Sequence, residues 1–144
     1  MIFNDLLFLE RIKMFKEICI CLLIILMIFV GNHLTYKYTK EVSDNIVKDL
    51  LTLREALIDN ENKSDNDIFK KDIDEIYKRW SNAQFKLAFF IEHTELDKVE
   101  IELAGLKGNI DTKQIDDCIA YLDRCIFVLQ HIKDKYTVKI QNIF

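Results

Sequence analysis

The sequence predicts an all-α protein, in which an N-terminal transmembrane helix is followed by an antiparallel bundle of three or four helices. Three observations predict it. The 144 residues contain no proline and only three glycines, Gly31, Gly105 and Gly108, so helix breakers are confined to a few places. An uncharged apolar run, "ICICLLIILMIFV", occupies Ile18 to Val30. Beyond residue 40, apolar residues return every three or four positions, the period of a helix with one buried face. The length allows one domain with a modest core. A formal net charge of -4 and the lack of a basic patch with interleaved aromatics argue against a nucleic-acid partner.

The first element is the span. Extended through Gly31 to Tyr36, the apolar run reaches the roughly 20 residues that carry a helix across about 30 Å of hydrocarbon. No A-x-A pattern follows it, since Gly31, Asn32, His33 and Leu34 come next, and Ile20 stands where a lipoprotein signal needs a small residue. An uncleaved anchor at residues 18–36 is therefore expected, with a cleaved signal or a buried core helix as alternatives. Arg11, Lys13 and Lys16 precede the span while Lys37 and Lys40 follow it, a slight bias toward a cytoplasmic segment at residues 1–17. Met14 is an alternative start. Residues 37–144 then form an extracytoplasmic helical domain, with Tyr36, Tyr38 and His33 near the interface. The expected location is the cell membrane, as a single-pass protein.

The next helix carries Val42, Ile46, Leu50, Leu53 and Leu57, with Ile58 widening the stripe. "DNENKSDND", from Asp59 to Asp67, has no apolar residue and is rich in capping types, so it separates this helix from another. The second amphipathic helix places Ile73, Ile76, Trp80, Ala83, Leu87 and Ile91 on one seam. Leu96, Val99, Leu103, Leu106 and Ile110 then follow a different phase, so a slip falls near Glu92 to Thr94. Either one long helix bends there, or it breaks and Thr94 caps a new helix with Asp97 three residues on. "GLKGNID" predicts a turn, with Gly108 as C-cap and Asp111 as the N-cap of a last helix. That helix carries Ile115, Cys118, Leu122, Cys125, Leu129 and Ile132, with Ile119 and Ile126 beside them. The tail "TVKIQNIF" is expected to dock in extended form or to fray.

The candidate site is "IEHTELDKVE", residues 91–100, one histidine among four carboxylates. His93, Asp97 and Glu100 share a helical face, and a histidine with two carboxylates is a reasonable set for a divalent metal. A turn at Lys107 to Asn109 brings together residues whose numbers sum to about 218. Arg124 then falls near Glu95, and His131 near Ala88, within a turn or so of Glu92. The candidate metal ligands are therefore His93, Asp97, Glu100 and His131. An arginine opposes a cation, however, so the favoured reading is a structural polar joint of Glu92, His93, Glu95 and Arg124, with no cofactor expected. Cys118 and Cys125 share a face about 10 Å apart along a rigid helix, too far to bridge each other, and read as core thiols. Cys19 and Cys21 read as packing within the span. Trp80, Phe85, Phe89 and Phe90 make an aromatic segment that reads either as core or as an interaction surface.

The layout resembles an uncharacterised family of short, single-span helical proteins from spore-forming Gram-positive bacteria, a domain of unknown function. The resemblance rests on Trp80, "LAFFIEHTELDKVE" at Leu87 to Glu100, "FVLQHIKDKY" at Phe127 to Tyr136 and "NIF" at Asn142 to Phe144. It covers the chain from residue 14 onward. The resemblance implies membrane anchoring and an all-helical exterior, with no catalytic assignment. By association, it also implies a YetF-like multispanning membrane protein as partner.

The functional expectation is a membrane-anchored accessory protein that engages a membrane protein, with an extracytoplasmic sensor or binding module as the alternative. Homo-oligomerisation through the Val42 to Leu57 seam is a further expectation. Catalysis is less favoured, because no recognisable nucleophile with its base, phosphate loop or two-cysteine metal pair is present.

Overall fold

The computed structural model describes the backbone of residues 2–59 and 66–136, with the side chains of 11, 13–59 and 67–136. Among the described residues there are four α-helices and no strand: α1 Ile2–Asp59, α2 Asn66–Leu87, α3 His93–Thr112 and α4 Ile115–Lys135. Residues 60–65, within the expected connection, and the tail 137–144 lie outside the described residues.

The chain divides into two compact units, Met1–Thr35 and Tyr36–Phe144. The first is helical, and none of its described side chains is buried. Met14, Phe15 and every large hydrophobic residue from Ile18 to Val30 are at least half exposed. α1 is the one helix among the described residues whose length and composition suit a membrane span or a signal sequence, and its apolar window is wholly unburied. Gly31 does not break the helix, and Thr35 Oγ1 donates to its carbonyl at 2.8 Å.

The second unit is built around the predicted seams. Ile46, Leu50, Leu53 and Leu57 of α1 are buried with Ile73, Ile76, Trp80, Ala83 and Leu87 of α2. Leu96, Val99, Leu103, Leu106 and Ile110 of α3, and Cys118, Leu122, Cys125, Leu129 and Ile132 of α4, complete one cluster. Ile58 departs from its expected place: it is exposed beside the end of α1. Trp80 belongs to the core and not to a surface, because its position on the α2 stripe turns the indole inward until 1% remains exposed. Ile46, Leu50, Leu53 and Leu57 of the α1 seam are covered within one chain, while Val42 is half-buried.

Ion pairs show how the helices run. Lys70 pairs with Asp111 and Lys107 with Asp74, so α2 and α3 run in opposite directions. Arg54 with Asp123 and Lys133 with Asp44 do the same for α1 and α4. Arg79 Nη1 lies 2.6 Å from Asp49 Oδ2, linking α2 to α1. Exposed pairs of this kind add little stability each; their value here is that they fix register.

The phase slip near residue 92 is a true break. α2 ends at Leu87, the amides of Phe90 and Ile91 both donate to its carbonyl, and Glu92 adopts φ -58°, ψ 132° before α3 begins. The new helix starts two residues earlier than expected. Glu92 is its N-cap, without a side-chain cap bond, so Thr94 and Asp97 lie inside the first turns instead of capping them.

The second turn also differs. α3 runs through Gly108 and ends at Lys113, which takes the left-handed conformation (φ 59°, ψ 34°). The Gln114 amide donates back to the Asn109 carbonyl at 3.0 Å, the closing bond of a Schellman motif. Asp111 is therefore a helical residue paired with Lys70 and not an N-cap. Gly105 is required for another reason: a Cβ there would overlap the Tyr121 ring, so the missing side chain lets α3 and α4 approach.

Candidate functional site

Moving the turn centre from residue 109 to residue 113 changes which side chains meet. The numbers of facing α3 and α4 residues now sum to about 226, twice the turn position, as in Glu102 with Arg124 and Gly105 with Tyr121. Arg124 is thus two helical turns from its expected partner. Its Nε donates to Glu102 at 2.8 Å while its guanidinium covers the Tyr121 ring at 4.2 Å from the centroid. The hydrogen bond to Glu102 raises its pKa further. Glu95 instead meets Lys135 and His131.

Glu95 is the singular residue of this region, a carboxylate buried to 7% exposure. Its position two residues into α3 places it on the helix face that carries Leu96 and Val99 inward. Lys135 donates to Oε1 at 3.0 Å and Lys98 to Oε2 at 3.1 Å. The bond from Lys135, then that from Lys98, lowers the Glu95 pKa below its ordinary 4.5, outweighing the opposing effect of burial. Lys135 also reaches Glu92 at 3.2 Å, and the two carboxylates raise its pKa. The Glu92 amide, left without a helical partner, donates to the Tyr136 hydroxyl at 3.1 Å.

A cleft of about 210 Å³ opens beside Glu95, lined by Glu95, Lys98, Phe127, Val128 and His131. Phe127 and His131 are stacked, with centroids 6.4 Å apart and planes 15° from parallel. The cleft lining combines the Glu95 carboxylate and its Lys98 partner with the Phe127, Val128 and His131 side chains. A carboxyl held below its ordinary pKa is a weak base at neutral pH, so this arrangement is poorly suited to proton transfer.

The expected joint is therefore present with different members. Glu92 and Glu95 take part, Lys135 and Tyr136 join them, and Arg124 is elsewhere. His93 is exposed at the start of α3. Of the proposed metal set, Asp97 is exposed and Glu100 turns to α2, accepting from Tyr77 at 3.0 Å and Gln84 at 2.9 Å. The Glu100 bond raises the Tyr77 pKa. Among the described residues no group of three His, Cys, Asp or Glu side chains converges as metal ligands would.

Lys135 and Tyr136 escaped sequence reasoning, although both lie in "FVLQHIKDKY". Their signal was the excess of carboxylates at 91–100, which needs a cation from another helix. The thiols of Cys118 and Cys125 are fully buried and their pKa values are pushed up to about 11 and about 12, chiefly by desolvation, so neither is a nucleophile. The aromatic segment splits. Phe85 and Phe89 are exposed and Phe90 is half-buried against Tyr38. A second groove, of about 160 Å³, lies between α1 and α2 with Asp49, Asp72 and Glu75 around Arg79.

No curated protein and no solved structure matches the chain. A family model described as "Domain of unknown function (DUF4363)" matches residues 33–143, a stretch that takes in α2, α3, α4 and the end of α1. The match covers more than half of the chain, and the chain belongs to this family.

Proposed function

We propose that the protein is a single-pass, membrane-anchored accessory protein. In this reading residues 18–36 cross the bilayer with the N-terminus in the cytoplasm. The helices of the second unit form an antiparallel bundle outside it and bind an integral membrane partner, with a YetF-like multispanning protein as the candidate by association. The observation that carries this reading is the exposed apolar run. Thirteen consecutive residues from Ile18 to Val30 are uncharged, and their large side chains have no protein interior to enter. Roughly 1.5 kcal/mol or more is gained for each such side chain removed from water, and hydrocarbon supplies that environment.

Partner contact is assigned to the outer α3–α4 face. Ile101 is 65% exposed and Phe127 is 68% exposed, and the α3–α4 register sets them at one level beside the Glu95 cleft. Anchoring raises the local concentration of this face around a membrane partner and lowers the affinity it needs.

Two measurements on the full chain in cells test the reading. Alkaline extraction should leave the protein in the membrane with its N-terminal mass intact; release, or a mass shortened beyond the apolar run, would refute the anchor. A photoreactive residue replacing Phe127 should capture one integral membrane protein, and loss of that capture in Ile101→Asp would place the contact. Capture of nothing by membrane-located, folded protein would refute the accessory role.

A further inference from the structure

Two phenylalanines stand in the open at one end of the Tyr36–Phe144 unit. Phe85 is 74% exposed and Phe89 is 79% exposed. Their rings meet edge to face with centroids 5.9 Å apart, so they shield only one another. Phe85 lies on the last turn of α2 and Phe89 in the turn that follows.

That turn is fixed beside the point where the chain enters the unit. The Phe90 ring packs on Tyr38 at 6.5 Å, and Lys86 Nζ lies 5.9 Å from the centre of the same ring. Tyr38 follows Thr35 by three residues, about 4.5 Å of helix rise. The far end is different in charge. There Asp72, Asp74, Glu75, Asp111, Asp116 and Asp117 outnumber Lys70, Lys71, Lys107 and Lys113. At the near end Lys37, Lys40 and Lys86 are exposed, as are Glu41, Glu92 and Asp97, so its charge is mixed. The unit thus has an aromatic end with three exposed lysines and an acidic end, and the chain enters the unit at the aromatic one.

We propose that Phe85 and Phe89 seat in the headgroup and acyl boundary of the bilayer, with Lys86 turned to the lipid phosphates. The inference rests on the anchored reading. Exposed rings flanked by lysines match this boundary: the rings enter the acyl side, while a lysine stem lies along it and keeps its charge at the phosphates. The turn is then a second tether of the bundle to the membrane surface. A partner's side chains remain the business of the α3–α4 face.

The test uses the full chain reconstituted in vesicles of phosphatidylcholine and phosphatidylglycerol, with and without acyl chains carrying bromine. Phe89→Trp places a fluorophore in the turn, and Ile68→Trp places one at the acidic end, where Ile68 is 53% exposed. Trp80, buried in the core, gives the common background and reports folding. The Phe89→Trp emission should shift to the blue and fall at least twofold with brominated lipid, while Ile68→Trp is unchanged. Equal emission with and without bromine, in protein that still floats with the vesicles, overturns the lipid assignment and leaves the anchor standing. A blue shift without bromine quenching also overturns it, and assigns the rings to a second copy or another protein. Failure to float overturns the anchor and this inference together. Phe85→Ser with Phe89→Ser, which changes only exposed positions, should still float and should free the bundle, read as faster tumbling of a label at the acidic end. Unchanged tumbling overturns the tether.

Discussion

Replacing Glu95 with glutamine isolates the charge of the one buried carboxylate among the described residues. The substitution keeps the shape but removes one acceptor and turns an NH2 group toward an ammonium. Hydrogen bonds to a charged group contribute about 1.5–3 kcal/mol when dry. Here the carboxylate side chain is only 9% exposed, but its lysine partners are 39% and 56% exposed, so solvent screens the pair toward the lower end. The expected loss is about 1–2 kcal/mol at pH 7. The sign of the pH dependence follows from linkage. The folded pKa lies below the unfolded 4.5, so the carboxylate's contribution is complete above 4.5 and vanishes as pH falls through the folded value. Glu95→Gln mimics the protonated group at every pH. Urea unfolding of the detergent-solubilised chain, followed by Trp80 fluorescence, should therefore give two midpoints that converge in acid. A gap that persists unchanged down to pH 3, or a glutamine variant as stable as the parent at pH 7, would refute the reasoning.

Three further outcomes follow from the core. The Trp80 indole N–H has no hydrogen-bond partner among the described residues, a defect that costs about 1–3 kcal/mol. Trp80→Phe should accordingly unfold within about 1 kcal/mol of the parent, whereas Trp80→Ala should lose about 3–5 kcal/mol; equal losses in urea melts would mean that the N–H is paired. Gly105→Ala gains about 1 kcal/mol of helix propensity but pushes a methyl into the Tyr121 ring, held on its other side by Arg124, for about 1–3 kcal/mol. The net loss should turn into a gain of about 1 kcal/mol when the same change is made in Tyr121→Ala, as a double-mutant cycle measures. Cys118 and Cys125 should resist maleimide at pH 8 until denaturant is added, read by peptide mass, because thiols with pKa values of about 11 and about 12 supply almost no thiolate. Labelling of either in the folded chain would contradict their burial.

The core was legible in the sequence because helical burial writes itself as spacing. From Ile46 to Leu57, Ile73 to Ile91, Leu96 to Ile110 and Cys118 to Ile132, the apolar stripes are the residues that became buried. The turns were not equally legible. Glycine is a strong breaker signal, so Gly108 drew the turn to itself, yet α3 tolerates it in mid-helix. The residue that does take a left-handed conformation is Lys113, whose type carries no such signal. A four-residue error in the turn centre, 109 against 113, became an eight-residue error in facing pairs, which sent Arg124 to Glu102 and gave Glu95 to Lys135. For the same reason the buried carboxylate was hidden. Glu95 is one of four acids in its stretch, and only a partner on another helix distinguishes it from Glu92 or Asp97. Exposure divided the aromatic segment in a way that composition does not show, since Trp80 follows the α2 stripe while Phe85 lies off it.

The left-handed residue at the α3–α4 turn has a consequence for how such chains can vary in length. One residue added there would rotate α4 by about 100° and advance it about 1.5 Å. Leu122, Cys125 and Leu129 would leave the interior, and Lys135 would lose Glu95. Substitutions at this turn are cheap, while insertions of one or two residues act on the whole hairpin. An insertion of seven would restore the stripe to within about 20° of its original direction. Sequence drift at the turn and fixity of its length are therefore compatible, and a length change there would signal a re-registered core more surely than any substitution within the seams.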